Sequence, residues 1–333
     1  MTRIDQIWKE LESDPSLPHG ILYRRYSAAI LPDVFIAWQN PEKIRCIAVF
    51  VNADINLRLT EFSNLKDINV ELKADESEHR RKILFLRLIN RQHSNIFSVL
   101  CEDLIASVAG INNENQLVKE LFNRFIKWKS LFDKASQQGL TAEEQRGLYG
   151  ELYFLRQFLQ VSPDFLYTIQ SWVGPEKQIK DFQYHDWSVE VKTTHGNNHQ
   201  KIHVNSERQL DTSGLNHLFL YHISLETKQQ AGETLNHIVR SISDILAQDM
   251  ASYNRFRIKL LEAGYFDGQN HIYDYNGYII RQECFYKVEN TFPRIEEADV
   301  RNGVGDVKYS IIASQFSEYS VSRENVFKVL LLP

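Results

Sequence analysis

The sequence predicts an α/β protein of two domains, with a β-rich and helical N-terminal domain over residues 1–136 and an α/β domain over residues 137–333. Two observations support this fold class. Strand-like runs dominate residues 21–88 before helical patterns take over, whereas helices and strands alternate after about residue 140. A chain of 333 residues, 43% of them hydrophobic, is long enough to bury a sizeable core.

The N-terminal domain is assigned from changes in periodicity. The segment DQIWKELES predicts a short first helix, and apolar runs such as VFIAWQN, separated by polar turns, predict a mostly antiparallel sheet. Apolar residues spaced by three and four positions then predict helices near residues 95–110 and 115–134. The polar segment ASQQGLTAEEQ that follows is the predicted domain boundary.

The second domain opens with a helix whose start is encoded locally. Thr141 is followed three residues later by Glu144, which is the spacing of a capping box. Leucines at positions 148, 152, 155 and 159 then share one helical face, which predicts that this helix packs on a large core. A hairpin, the strand LNHLFLYHIS and the helix GETLNHIVRSISDILAQ complete the predicted α/β core.

The hairpin KDFQYHDWSVEVK concentrates charged residues near one turn. A symmetric loop at its centre sets a register in which Phe182 faces Val189 and Asp181 stands opposite Glu190. Side chains alternate along a strand, so the aromatic and valine side chains form a core face. Asp181, Glu190 and Lys192 share the other face.

Two explanations fit this pair of carboxylates. Like charges directly opposite on a sheet are destabilising unless they are neutralised, and a divalent cation would neutralise them. Hard cations such as Mg²⁺ take one or two carboxylates together with waters and phosphates. Lys192 would then hold or help to deprotonate a water, or stabilise charge on a phosphate, as in metal-assisted phosphodiester hydrolysis. The alternative is a solvated sheet face on which Lys192 simply neutralises Glu190.

Several short segments resemble the PD-(D/E)XK nuclease superfamily, whose members have the restriction-endonuclease-like fold. These segments are GLYGELYFL, SWVGP, KDF, VEVKTT, SERQL, FPRI and NGVGDVKYS. The resemblance runs over most of the chain, is most specific between residues 147 and 210, and is closest to a bacterial family grouped with that superfamily. It implies a core of mixed sheet flanked by helices.

The resemblance also implies a Mg²⁺- or Mn²⁺-dependent DNA endonuclease that acts in restriction, phage defence or DNA repair. Asp181 and Glu190 would ligate the metal, Lys192 would be the catalytic lysine, and Glu151 on the preceding helix would be a further acid and ligand. The sequence departs from the motif at Lys180, where the superfamily name expects proline. Because some members have lost activity, the alternative is a non-catalytic subunit that binds nucleic acid or a partner protein.

Two further residues near the hairpin are predicted accessory site residues, His203 and Gln209, although Gln209 also fits a purely structural amide. His195, His199 and His203 are spaced by four, which would suit a zinc site on a helix. The glycine and asparagines between the first two of them favour a loop instead.

Two basic clusters are predicted to contact nucleic-acid phosphates, one with Arg80 and Arg81 and one with Arg255 and Arg257. The alternative is that these residues form the charged faces of a strand and a helix and need no partner. A net charge of −5 gives no global attraction to nucleic acid, so binding would depend on a local patch.

The rest of the composition indicates where the protein is located and what it contacts. No apolar run approaches the roughly 20 residues of a membrane span, and three cysteines without a CxxC pair suggest neither a disulfide framework nor a cysteine zinc site. We therefore expect a cytoplasmic protein without membrane contact. Its expected partners are DNA, other subunits of a restriction or defence system, and a second copy of itself in a homodimer.

Overall fold

The computed structural model describes residues 3–52, 67–135, 139–196 and 200–331. The chain divides into two units, one formed by Met1–Gln138 with Phe266–Gly268 and the other by Gly139–Tyr265 with Gln269–Pro333. Within the described ranges, no helix combines the length and the apolar character needed to cross a bilayer.

The first unit contains an antiparallel sheet and helices, as the sequence predicts. Its elements are α1 (Arg3–Glu12), β1 (Gly20–Arg25), β2 (Val34–Asn40), β3 (Ile44–Asn52), β4 (Ile68–Ala74), β5 (Arg81–Leu88), α2 (Ser94–Val108) and α3 (Glu114–Ala135). The strand order is β1-β2-β3-β5-β4, with every pair antiparallel. Trp8 joins α1 to this sheet and to α2, because it stacks on Phe97 and donates its indole N–H to the Ala37 carbonyl.

The second unit carries a six-stranded mixed sheet flanked by helices. Its elements are α4 (Ala142–Val161), α5 (Phe165–Ser171), β6 (Phe182–Tyr184), β7 (Trp187–His195), β8 (Lys201–Val204), β9 (His217–Gln229), β10 (Glu233–Thr234), α6 (Leu235–Ile245), α7 (Met250–Glu262), α8 (Asn270–Tyr273), β11 (Asn276–Lys287), β12 (Tyr309–Ile312), β13 (Ser320–Val321) and α9 (Arg323–Leu330).

The strand order of this mixed sheet is β10-β11-β9-β7-β6, and β13 pairs with β11. Strands β7 and β9 are parallel, whereas the other pairs are antiparallel. Strands β8 and β12 form a separate two-stranded antiparallel sheet. The mixed sheet with flanking helices confirms the predicted α/β class and is consistent with a restriction-endonuclease-like core.

Helix α4 begins and packs as its sequence predicts. The Thr141 hydroxyl accepts a hydrogen bond from the Glu144 amide, and the Glu144 carboxylate accepts one from the Thr141 amide, so the capping box is formed. The four leucines of the predicted stripe are at most 5% exposed and belong to the main core of the unit. Burial of this stripe fixes the rotation of α4 about its own axis.

Gly150 allows α4 to approach β7 closely. A Cβ atom at this position would lie 2.4 Å from Thr193 Cγ2, a distance that real Cβ atoms do not tolerate. The close approach brings the next residue of the helix, Glu151, beside the strand that carries Glu190 and Lys192.

Candidate active site

The hairpin of β6 and β7 has the predicted register over its regular part. Phe182 pairs with Val189, and Tyr184 pairs with Trp187 across a two-residue turn. The predicted core face is buried, since Phe182, Trp187 and Val189 are at most 1% exposed. The prediction of which face points inward is therefore confirmed.

The ladder between β6 and β7 ends at the pair of Phe182 and Val189, so the predicted pairing of Asp181 with Glu190 is not formed. The Asp181 carbonyl accepts hydrogen bonds from the amides of Val173 and Gly174 at 2.8 and 2.9 Å. Its carboxylate turns across β7 instead, and Oδ2 accepts a hydrogen bond from the Val191 amide at 2.7 Å. The segment before the hairpin therefore binds the Asp181 carbonyl in place of β7, while the Asp181 carboxylate stays beside β7.

Glu190 lies on β7 between β6 and β9 and is wholly buried. Neither carboxylate oxygen has a hydrogen bond of ordinary geometry within the described ranges. The Lys192 ammonium lies 2.8 Å from Oε1, so the two side chains form an ion pair. Burial, reinforced by the charge of Asp181, raises the pKa of Glu190 from 4.5 to about 8, although Lys192 opposes the shift. Ser188 on the same face is also wholly buried, so this part of the face is not solvated, whereas the neutralising Lys192–Glu190 pair of the alternative explanation is present.

Glu151 and Asp181 converge on Gly174. A Cβ atom on Gly174 would lie 2.9 Å from Glu151 Oε2 and 3.2 Å from Asp181 Oδ1. The Trp172 indole N–H donates to Glu151 Oε2 at 2.7 Å and fixes that carboxylate. Burial raises the pKa of Glu151 well above its ordinary value, and the charge of Asp181 raises it further. Burial likewise raises the pKa of Asp181, against the opposing charge of Lys192.

Lys192 is held from two sides. In addition to its ion pair with Glu190, its ammonium donates to Gln209 Oε1 at 3.0 Å. The same Gln209 oxygen accepts the Asn205 amide at 2.8 Å, which fixes the orientation of the side-chain amide. Burial works against a charged lysine, but Glu190 and Asp181 hold the pKa of Lys192 above its ordinary value. The group is therefore a buried cation aimed at the carboxylates.

These side chains open onto one cleft of 770 Å³ in the second unit. All four predicted catalytic residues line it, as do both predicted accessory residues, His203 and Gln209. His203 reaches the cleft from β8, where its Nδ1 lies 3.0 Å from Ser310 Oγ. The structure therefore brings together every residue that the sequence places in or near the active site.

The donor set fits a hard divalent cation that takes water for part of its coordination. The three carboxylates offer only oxygen ligands, and the buried Oε2 of Glu190 accepts no hydrogen bond within the described ranges. Among the described residues, no group of three or more acidic, histidine or cysteine side chains is arranged to hold a metal ion, so any ion here would have fewer protein ligands. One or two carboxylates with waters is the pattern expected for Mg²⁺.

The zinc hypothesis requires His195, His199 and His203 to lie on one helix. His195 ends β7 and His203 lies within β8, so these two residues do not lie on a common helix. His199 lies outside the described residues.

A comparison with protein families agrees with this geometry. Residues 4–314 match the model of the family described as "Putative PD-(D/E)XK family member, (DUF4420)". The chain belongs to this family. No curated protein and no solved structure matches it. The family name describes an acid, a second acid and a lysine, for which the sequence predicts Asp181, Glu190 and Lys192.

Lys180 stands where the family name has proline, and its side chain has a structural role. Lys180 is 9% exposed, and its ammonium donates to the Arg208 carbonyl at 3.0 Å. That bond anchors the turn on which Gln209 approaches Lys192. Burial lowers the pKa of Lys180, with Glu190 and Asp211 acting in the opposite direction.

Trp172 and Gly174 are site residues to which sequence reasoning assigned no role. The segment SWVGP, quoted above as a family resemblance, was the available signal. The backbone amides of this segment bind the Asp181 carbonyl, and the Trp172 indole binds the Glu151 carboxylate. Gly174 has no side chain and so leaves room for both carboxylates. The wholly buried Lys259 of α7 in turn donates to the Trp172 carbonyl and to Glu176.

Of the four predicted phosphate-binding arginines, Arg81 and Arg255 form ion pairs with acidic side chains of the protein. Arg255 pairs with Glu176 at 2.6 Å, next to Lys259, and so helps to anchor the SWVGP segment. Arg257 is half-buried on α7, and neither arginine lines the cleft. In the first unit, Arg81 pairs with Asp33 and Glu78. Arg80 is exposed at the turn before β5.

Proposed function

We propose that this protein is a Mg²⁺- or Mn²⁺-dependent endonuclease that hydrolyses phosphodiester bonds in DNA. The observation that carries the proposal is the environment of Glu190. Both of its carboxylate oxygens are buried beside Asp181 in an open cleft; Oε1 lies 2.8 Å from the Lys192 ammonium, and Oε2 has no donor among the described residues. A buried polar group without donors is costly, and a cation would relieve that cost.

Asp181 and Glu190 would hold the cation, and Glu151 would support it. When bound, the ion supplies Lewis-acid polarisation of the phosphate and a lower pKa for water. The raised pKa values of all three carboxylates fit this role, because a nearby cation favours the charged form of each. Trp172 keeps Glu151 in place through its indole hydrogen bond.

Lys192 would act on the reacting atoms. In hydrolysis a water oxygen bonds to phosphorus, the bond from phosphorus to one bridging oxygen breaks, the water loses a proton and the leaving oxygen gains one. The Lys192 ammonium donates to the attacking water, fixes its direction and stabilises negative charge on the phosphate. Gln209 is a positioning residue in this scheme, because its hydrogen bond directs the ammonium.

Plasmid cleavage tests the proposal. Supercoiled plasmid is incubated with the wild-type protein in Mg²⁺, Mn²⁺ or EDTA, and with the variants Asp181→Asn, Glu190→Gln and Lys192→Met. Glu318→Gln is the control, because Glu318 is exposed and does not line the cleft. We expect nicked or linear DNA with either metal, none in EDTA, and losses of roughly a hundredfold or more for the three site variants.

Two outcomes would count against an active nuclease. Plasmid that stays unchanged with every divalent ion overturns the proposal. If the protein retains DNA in a binding assay while leaving it uncut, the non-catalytic nucleic-acid-binding subunit becomes the better description.

The proposed setting is restriction or phage defence in the cytoplasm, with DNA as substrate, other subunits of such a system as partners and a homodimer as the assembly. Family resemblance supports this setting. The chain carries no nucleotide-binding loop of the GxxxxGK[ST] type, so a translocating motor would be a separate subunit.

A further inference from the structure

One wall of the cleft is the two-stranded sheet of β8 and β12, which none of the site hypotheses explains. Its residues alternate cleanly between two environments. Ile202, Val204 and Ile311 point into a small core and are at most 6% exposed. The opposite face lines the cleft with Lys201, His203, Lys308 and Ser310, and it also carries Ile312, which pairs with Lys201 and is 42% exposed.

The two lysines of this face have no counter-charge. Within the part of the chain that the structure describes, neither Lys201 nor Lys308 forms an ion pair or a side-chain hydrogen bond. Neighbouring cations of the same unit are neutralised, as Arg208 pairs with Glu297 and Arg294 with Glu296. Both lysines line the cleft, Lys308 exposed and Lys201 half-buried, so this sheet presents these two cations to the cleft.

The rest of the cleft rim adds one more free cation. Arg146, half-buried on α4, lines the cleft and forms no ion pair among the described residues. Glu143, one turn earlier on α4, is the exposed carboxylate on that side. The rim thus presents two lysines and an arginine against one acid, around a floor of carboxylates.

The spacing of the lysines suits an extended chain of phosphates. Lys308 immediately precedes Tyr309, which pairs with Val204, so Lys308 lies at the level of Asn205, and Lys201 lies at the other end of β8. Four residues of strand span about 13 Å. Because one strand of DNA rises about 3.4 Å per nucleotide along the helix axis, two side chains this far apart would contact different phosphates of one strand.

We infer that the face of β8 and β12 that lines the cleft is a platform for the phosphates of one nucleic-acid strand, with Lys201 and Lys308 as its contacts. The inference rests on the proposed function for the identity of the ligand. It also revises the predicted nucleic-acid contacts, since Arg81 and Arg255 are ion-paired whereas the cleft lysines are not. His203 and Ser310 between the lysines offer further hydrogen bonds to phosphate oxygens.

The test measures binding and not cleavage. Fluorescence anisotropy follows a labelled duplex oligonucleotide, and separately a single-stranded one, in Ca²⁺ and in EDTA, with full-length wild-type protein, Lys201→Gln, Lys308→Gln and the double variant. Lys328→Gln is the matched control, because Lys328 is exposed on α9, outside the cleft, and loses the same charge. Thermal melting checks that each variant is folded.

We expect each cleft variant to bind roughly three- to tenfold more weakly than wild type, and the slope of log affinity against log salt to fall by about one per lysine. Lys328→Gln should match wild type. Equal affinity for Lys328→Gln and the cleft variants overturns the inference even if the protein cleaves plasmid, and so does the absence of binding to either oligonucleotide. Lysine-dependent binding without cleavage would support the platform and count against the nuclease.

Discussion

The Lys192 ammonium lies 2.8 Å from Glu190 Oε1 on the strand β7, where Glu190 is wholly buried. Two residues apart on one strand, the side chains share a face and form the buried ion pair of the site. A buried pair of this kind contributes little net stability because desolvation of both charges opposes their attraction. The position of this pair at an open cleft fits the proposed catalytic role.

The buried Glu190 should make the metal-free protein less stable as pH rises. Its folded pKa of about 8 exceeds its ordinary value of 4.5, so the favourable contribution is complete below 4.5 and is lost as pH rises through about 8. The slope in this window is at most about 1.4 kcal/mol per pH unit for one proton. Urea unfolding in EDTA across the window measures it.

The variant Glu190→Gln should lose the Glu190 share of this slope, leaving that of Asp181 and Glu151, and should be at least as stable as wild type at the alkaline end. Glu318→Gln should retain the wild-type slope. Parallel pH profiles for wild type and Glu190→Gln would show that Glu190 ionises normally.

Divalent cations should stabilise the folded protein, and more strongly at higher pH. Binding requires ionised carboxylates, whose pKa values are raised in the metal-free site, so binding releases protons. At an ion concentration about a hundred times the dissociation constant, the gain is about 2.7 kcal/mol. Thermal melting with Mn²⁺ and Mg²⁺ measures it. Asp181→Asn should abolish the shift, and a shift that survives in Asp181→Asn would place the ion elsewhere.

Gln209→Ala should slow catalysis without weakening DNA binding. The substitution removes an acceptor from the Lys192 ammonium, and a hydrogen bond to a charged group is worth about 1.5–3 kcal/mol, equivalent to roughly ten- to a hundredfold in rate. Single-turnover kinetics separate the rate from the affinity. Gln209→Glu retains an acceptor for both Lys192 and the Asn205 amide and should recover much of the rate. Equal losses in the two variants would indicate a general structural defect.

Gly174→Ala should impair activity because the added methyl group enters the space between two carboxylates. It would lie 2.9 Å from Glu151 Oε2 and 3.2 Å from Asp181 Oδ1, closer than normal contact. Overpacking of this kind costs about 1–3 kcal/mol. Plasmid cleavage and metal-dependent melting report the effect. Gly110→Ala is the control, because a Cβ atom there meets nothing within 4 Å; wild-type cleavage by Gly174→Ala would show that the carboxylates can move apart freely.

Local features of this chain were predictable from sequence because they depend on neighbouring residues. The capping box of Thr141 and Glu144, the buried leucine stripe of α4 and the register of the β6–β7 turn all follow from short-range geometry. The same local alternation places Glu190 and Lys192 on one face, which was enough to propose a site.

The position of Asp181 and the burial of Glu190 depend on tertiary contacts that local sequence patterns do not encode. Asp181 leaves the predicted ladder because the amides of Val173 and Gly174 bind its carbonyl, and no local periodicity encodes that competition. Glu190 is buried because β6 and β9 flank its strand, and β9 lies beyond the turn that carries Gln209.

The cationic wall of the cleft needs the pairing of β8 with β12, more than a hundred residues apart in sequence, which brings Lys308 to the face that carries Lys201. In the sequence, Lys308 lies in NGVGDVKYS, a segment that resembles the superfamily but to which the sequence assigned no role. Hydrogen-bonding partners and burial are properties of the assembled sheet, so a single chain segment specifies which side chains share a face, and the tertiary structure determines what that face meets.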